Sequence, residues 1–181
     1  VENLLSAMRG VTLANINAPN QIVISGAIEA VTDAVTALKK EKIAARTIPV
    51  SQAFHSEHML HAKEPLKKAL QAMTITAPQI PTYSNTDAQR YSDKAEEIAE
   101  RLANHIVKPV DFVSQIRRMQ ADGAYYFVEV GPGSVLTNLT AAILQDTPHL
   151  AVAIDRSGRN GITQLLHALA QLWAHGVEFD L

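Results

Sequence analysis

An α/β fold is what the residue order predicts, and three observations lead to it. Short apolar runs of strand character, "VTLANIN", "QIVISG", "AYYFVEV" and "LAVAID", recur along the 181 residues. Between them lie longer segments whose apolar residues return at helical spacing. Turn-forming clusters, "NAPN", "GPGS" and "DRSGRNG", separate the two kinds of segment.

Val1 to Met8 carries Leu4, Leu5 and Met8 on one side and stops at Gly10, which predicts the tail of a helix. Residues 11 to 25 predict a hairpin: "VTLANIN" with Val11, Leu13 and Ile16 inward, the "NAPN" turn, then "QIVISG". Val31, Ala34, Val35 and Leu38 predict an amphipathic helix over Ile28 to Lys42, and "IAARTIPV" predicts a returning strand. Met59, Ala62, Leu66, Leu70 and Met73 form another helical stripe, in which Pro65 predicts a break or kink near Glu64. "IPTYSN" has the pattern of a short strand. Asp93 with Glu96 resembles a capping box opening a helix through Ile98, Leu102 and Ile106.

A helix carrying Phe112, Ile116 and Met119 is stopped by Gly123, and "AYYFVEV" then predicts a strongly buried strand. "GPGS" turns that strand into the helix "VLTNLTAAIL". "LAVAID" precedes a last amphipathic helix with Ile162, Leu165, Leu166, Leu169, Leu172 and Trp173, ending at Gly176. Residues 1 to 50 thus run helix end, strand, strand, helix, strand. That is a split βαββαβ unit without its first strand and most of its first helix, so strand 11–17 is expected to show an edge there.

Composition narrows the function. Hydrophobic residues make up 47% and charged residues 19%, and 16 Lys and Arg against 18 Asp and Glu leave a net charge of −2. No basic block points to nucleic acid. The absence of cysteine excludes disulfides, thiolate metal sites and thiol nucleophiles. No run of roughly 18 apolar residues points to a membrane, and "VENLLSAMRG" lacks the pattern of a signal peptide. A cytoplasmic setting is the default.

The segment "SQAFHSEHM" holds the chemistry worth weighing. His55 reads as a general base, as a metal ligand, or as a polar residue satisfied at a helix start. His55, His58 and His61 are three apart, so on a helix their directions drift by roughly 120° across the set. Zinc sites on helices favour an i, i+4 pair, so the expectation is no metal. In "GPGS" the third glycine of a dinucleotide loop is replaced by Leu136, which leaves a tight turn as the better reading. A base needs a nucleophile, and no serine in the chain has glycines on both sides in a G-x-S-x-G elbow.

Five blocks carry a resemblance: "NINAPNQIVISG", "VSQAFHSEHM", "PQIPTYSN", "VKPVDFVSQI" and "GAYYFVEVGPGSVLTNL". In this order and spacing, the chain resembles the C-terminal half of the malonyl-CoA:acyl-carrier-protein transacylase family. The likeness is to an acyltransferase domain of a polyketide or polyunsaturated fatty acid synthase, and it covers residues 1 to about 145. It implies most of a ferredoxin-like small subdomain at 1–50, followed by the C-terminal part of an α/β-hydrolase-like acyltransferase subdomain at 51–154. Residues 155–181 look like the linker and helix that follow such a domain in multidomain synthases.

The resemblance also implies a mechanism. A serine attacks the malonyl thioester, and the phosphopantetheine thiol of an acyl carrier protein takes the acyl group. His55 matches the catalytic histidine, and the main-chain oxygen of His105, four residues before Pro109, matches the acceptor that orients it. Phe54 matches the residue that accompanies malonyl, where a serine accompanies methylmalonyl. Gln52 stands where the common malonyl form has histidine. Asn17, Gln21, Asn85 and the Gly131-Pro132-Gly133 turn are family-marked too, Asn17 as a cleft polar group or as a turn cap. The serine elbow, the oxyanion glutamine and the malonyl-binding arginine of the family would lie upstream of residue 1, so the chain alone is expected to be inactive. No cofactor is implied beyond the carrier's phosphopantetheine. The implied partners are the acyl carrier protein, the upstream half of the same domain, and ketosynthase and other synthase domains. Two other readings stay open: a non-catalytic fragment that docks with neighbouring synthase domains, and a histidine metal protein.

Overall fold

The computed structural model of the chain describes residues 8–50 and 52–180, and it divides into two compact units, 1–115 and 116–181. The predicted helix tail lies outside the described residues, except for Met8.

The first unit opens with strands β1 (Val11–Ala18) and β2 (Gln21–Gly26), an antiparallel hairpin closing from Val11↔Gly26 to Ala18↔Gln21. Gly26 is obligatory there, because a Cβ would lie 2.2 Å from the Gly10 oxygen. Two register shifts, between Leu13 and Asn15 and between Ile16 and Ala18, alter which side chains are covered. The deeply buried residues of β1 are accordingly Ala14 and Ala18, not the expected Val11, Leu13 and Ile16. Helix α1 (Ile28–Lys40) follows, with Ala34 and Leu38 buried, Glu29 in its first turn, and Lys39 and Lys40 in its last.

The expected edge on β1 is occupied at two residues only. A two-residue strand β3 (Val110–Asp111) pairs in parallel with it, Asn15↔Val110 and Ile16↔Asp111, so the sheet order is β2-β1-β3. β3 is thereby anchored just after the 105–109 turn. Residues 43–50 form no strand, correcting the expectation for "IAARTIPV". Among the described residues their amides bond only locally, as from Val50 to the Ile48 oxygen, and both of those side chains are exposed. A strand needs a ladder partner, and β-branched residues without one stay extended but unpaired.

A 3-10 turn (Glu57–Met59) leads into α2 (Leu60–Gln71), which runs through Pro65 without a break. Pro65 falls in the second turn, where its missing N–H deprives one carbonyl, that of His61, of an intrahelical donor. Helix α3 (Ala95–Asn104) packs on α2 with Ile98, Ala99 and Ala103 buried. Its N-cap is Lys94 with no side-chain cap, so the Asp93–Glu96 box does not form, and Ile106 lies beyond the helix. Lys94 pairs instead with Glu97 at 2.9 Å. Lys63 and Lys67 hold Glu100 at 3.0 and 2.6 Å, tying α2 to α3. These two cations, Lys67 foremost, pull the Glu100 carboxyl down to about 2. "IPTYSN" is not a strand but one arm of a tight turn, bridged at Tyr83↔Arg90 and closed by the Tyr91 amide on the Thr82 oxygen at 2.8 Å. Helix α4 (Phe112–Ala121) begins at the end of this unit, its start capped by Asp111 accepting from the Ser114 amide at 2.9 Å.

In the second unit β4 (Tyr126–Glu129) and β5 (Leu150–Ala153) are parallel, joined through α5 (Val135–Ile143). β4 is not strongly buried: Tyr126 and Val128 are exposed, and Val130 beyond it is 80% exposed. With β5 as its neighbour and little of this unit over its faces, the apolar run keeps its solvent contact. Helix α6 (Gly161–Ala174) is capped by the Asn160 side chain, which accepts from the Thr163 amide at 3.1 Å. It buries Gln164, Ala168 and Leu172 against Val152, while Ile162, Leu166 and Trp173 of the expected stripe are exposed. The small Ala168 lets the helix approach β5, and Gln164 is accommodated by donating to the Ala153 oxygen at 2.7 Å. Among the described residues no helix is long and apolar enough to cross a membrane.

Candidate active site

His55 is placed by the residue after it. Ser56 is buried, donates to the Ala53 oxygen at 2.6 Å and accepts from the His58 amide at 3.3 Å, which nucleates the 3-10 turn ahead of α2. The chain must reverse just before this cap, and His55 does so with φ 61, a left-handed conformation uncommon for a residue with a Cβ. The strained backbone is held by its own N–H, which donates to the Ile106 oxygen at 2.9 Å.

The ring is held by the same turn. Nδ1 of His55 lies 2.6 Å from the main-chain oxygen of His105 and 3.2 Å from that of Lys108. Two carbonyls facing one nitrogen select the tautomer in which Nδ1 carries the proton and donates. Nε2 is left with a lone pair and no hydrogen-bond partner among the described residues. His105 is the C-cap of α3, so its oxygen sits at the negative end of that helix dipole and favours positive charge on the imidazole. Such an arrangement can accept a proton at Nε2 and stabilise the cation that results.

His58 and His61 do not join it. His61 turns its Nδ1 to the His58 oxygen at 2.9 Å, and no group of three or more His, Asp or Glu is placed to hold a metal among the described residues. Phe54 precedes His55 and is 45% exposed; Gln52 is exposed as well. Asn17 is on β1, one residue past Ile16, whose register partner is Asp111. Neither Asn17 nor Gln52 bonds to the His55 cluster among the described residues. Asn85 contributes its main chain, accepting from the Asp111 amide at 2.6 Å, while its side-chain oxygen is buried without a hydrogen-bond partner among the described residues.

The Gly131-Pro132-Gly133 turn belongs to the second unit. Gly133 has φ 100, and space around both glycines is open. The Glu129 carboxylate occupies the start of α5, accepting from the Leu136 amide at 3.2 Å, the Thr137 amide at 2.8 Å and the Thr137 hydroxyl at 2.7 Å. Burial pushes this carboxyl up, but the hydrogen bonds from Thr137, Leu136 and Val135 outweigh it and hold it below the usual range. An anion-binding helix start that already contains a carboxylate is a poor phosphate loop.

Sequence reasoning passed over three features of the site: the Ile106 and Lys108 oxygens, and the side chain of His105. The ring of His105 lies with Nε2 at 2.9 Å from the Tyr91 hydroxyl and 3.3 Å from that of Ser84, which is fully buried. Main-chain oxygens carry no residue signature, and Tyr91 lies in a tight turn with no periodicity to flag it.

The family described as acyl transferase domain matches residues 1–175. The malonyl CoA-acyl carrier protein transacylase of Bacillus subtilis is 41% identical over 145 residues, covering 79% of this chain and 45% of that protein. A polyunsaturated fatty acid synthase polypeptide of Thraustochytrium sp. is 33% identical over 174 residues, 94% of this chain and 6% of that protein. In the acyltransferase domain from the second module of the salinomycin polyketide synthase, 41% of the solved chain superimposes on 98% of this one, with a TM-score of 0.85 and 29% identity. The chain thus spans less than half the length of these relatives.

Proposed function

The chain belongs to the acyl transferase domain family, and on that premise we propose that it supplies the general-base half of a domain that moves malonyl units from malonyl-CoA to an acyl carrier protein. The observation that carries this reading is the 2.6 Å contact between His55 Nδ1 and the His105 oxygen, which leaves Nε2 as the acceptor.

In the first half-reaction Nε2 takes the proton of a serine hydroxyl as its oxygen attacks the thioester carbonyl. Coenzyme A leaves as its thiolate and takes that proton back from His55. In the second, the carrier's pantetheine thiol gives its proton to Nε2 and attacks the acyl-serine ester, and the serine leaves with the proton returned. Between the steps the imidazolium is stabilised by the His105 and Lys108 oxygens. Phe54 fills the space of an α-methyl group and favours malonyl, with Gln52 and Asn17 as further substrate-facing groups. No cofactor takes part beyond the carrier's phosphopantetheine.

None of the serines sits in an elbow, so on this reading the nucleophile comes from outside these 181 residues, as the resemblance implies for the oxyanion glutamine and the carboxylate-binding arginine too. The chain alone is inactive on this reading. It acts with the upstream half of the same domain, beside a ketosynthase and other synthase domains, in the cytoplasm. Similarity to a synthase polypeptide of which it covers 6% supports that setting.

Intact-mass spectrometry after incubation with malonyl-CoA tests this. The expected result is no malonyl adduct on the 181 residues alone and an adduct on the upstream segment when the two are combined, absent with His55→Ala. An adduct on this chain by itself overturns the placement of the nucleophile.

A further inference from the structure

The resemblance assigns a role only to the main-chain oxygen at position 105, an atom that every residue type carries. Here the side chain is an imidazole inside a polar cluster. Its Nε2 meets the Tyr91 hydroxyl at 2.9 Å and the Ser84 hydroxyl at 3.3 Å. Ser84 is fixed in turn, 2.8 Å from the Thr86 hydroxyl and accepting from the Thr86 amide at 3.3 Å. The 82–91 turn that carries these groups is itself closed by main-chain bonds, Ser84 to Gln89 and Tyr91 to Thr82. At its other end, the His105 N–H donates to the Leu102 oxygen at the close of α3. The residue is therefore gripped at two points, the helix end and the 82–91 turn, with the oxygen that faces His55 on the same residue.

We propose that His105 is a positioning residue: its ring, anchored by the Tyr91 and Ser84 hydroxyls, fixes the direction of its own main-chain oxygen and thereby the tautomer and orientation of the His55 ring. This rests on the reading of His55 as the general base. The chemistry requires the anchor to stay neutral, because a second imidazolium beside His55 would oppose the charge His55 takes on when it accepts a proton. Burial, and secondly the nearness of His55, hold the His105 ring below the usual histidine range; Asp87 pulls the other way and Arg101 adds to the lowering. Burial likewise pushes the Tyr91 phenol up, against the Ser84 hydrogen bond and Arg101, which lower it, and alongside Asp87, which raises it. Tyr91 therefore remains a donor to the neutral ring.

The test is the nitrogen-15 spectrum of the His55 ring in the 181-residue chain, read for wild type, His105→Leu, His105→Gln and Tyr91→Phe. Wild type is expected as a single Nδ1–H tautomer. His105→Leu and Tyr91→Phe should lose it, whereas His105→Gln, whose amide can both accept from Tyr91 and donate to Ser84, should keep it. In the domain completed by its upstream segment, the first two should lower kcat about 10- to 100-fold with KM unchanged. Should His105→Leu fail to fold, Tyr91→Phe, which removes one oxygen atom, carries the test. A His55 tautomer unchanged in folded Tyr91→Phe overturns the proposal. Acyl-enzyme formation that survives His55→Ala in the completed domain overturns the underlying reading instead, whatever the spectra show.

Discussion

The imidazole of His55 and the main-chain oxygen of His105, fifty positions apart in sequence, meet at 2.6 Å. The same turn takes the His55 amide through Ile106 at 2.9 Å. Backbone and ring are thus held by one short segment, and the left-handed φ of His55, otherwise unfavourable, is supported by both contacts. On the proposed function, a base acting at Nε2 in two successive half-reactions would benefit from a ring held in this way.

That relationship separates the three histidines of the 55–61 segment. In the completed domain His55→Ala is expected to reduce acyl-enzyme formation by about 10²–10⁴-fold. His58→Ala and His61→Ala should keep most of it. Rates of malonyl labelling for the three variants check this, and equal losses at all three would favour a shared metal.

Phe54→Ser should raise the use of methylmalonyl-CoA relative to malonyl-CoA. One methyl group in a packed pocket is worth about 1–3 kcal/mol, or about 10–200-fold, so discrimination is expected to shift within that range and not beyond it. Competition between the two thioesters, scored by mass on the acyl-enzyme, gives the ratio. An unchanged ratio in an active variant would place the choice of unit elsewhere in the domain.

Glu129 caps α5 from the preceding strand, so Glu129→Ala should destabilise the second unit by about 1 kcal/mol, the scale of a lost helix cap. Its folded-state pKa lies below the usual 4.5, so the contribution is present above that value and fades as pH falls through the folded one. Denaturant titrations of wild type and variant at neutral and acidic pH should converge in the acid. A constant gap would assign the loss to packing rather than to charge.

Glu100 joins α2 to α3 through Lys67 and Lys63 and titrates near 2 in the folded chain, against 4.5 as an ordinary glutamate. Its stabilisation is complete above 4.5 and is lost as pH falls from there to about 2. The pairs are partly exposed, so solvent screens them and their contribution is small and sensitive to salt. Glu100→Gln should therefore lower the melting temperature at low ionic strength and less so at high salt. A salt-independent loss would count against the ion pairs.

The helices are legible in the sequence where one face is buried by neighbours: Ala34 and Leu38 in α1 and Ile98 in α3 fall on the expected stripes. Strands are legible less often. "VTLANIN" and "QIVISG" pair, whereas "IAARTIPV", with equally suitable residues, has no ladder. Strand residues become a strand only when a second segment supplies hydrogen bonds, and a local pattern does not contain that second segment. The inward face of β1 departs from its alternation for a related reason, since each bulge inserts a residue and moves the buried set from Leu13 and Ile16 to Ala14 and Ala18.

By itself the sequence determined where the helices of the described residues fall, the family-like order of the motif blocks, the candidates His55 and Phe54, and the lack of a serine elbow. These are properties of residue identity and spacing. Tertiary structure alone decided that His55 is left-handed, that its Nδ1 is held by the oxygens of His105 and Lys108, and that the His105 ring is anchored by Tyr91 and Ser84. It also decided that β1 takes β3 as its second neighbour and that α6 buries Gln164 and Ala168 in place of Ile162 and Trp173. Main-chain oxygens are alike at every position, and the side chains around His105 come from the 82–91 turn. What they do depends on where packing brings them.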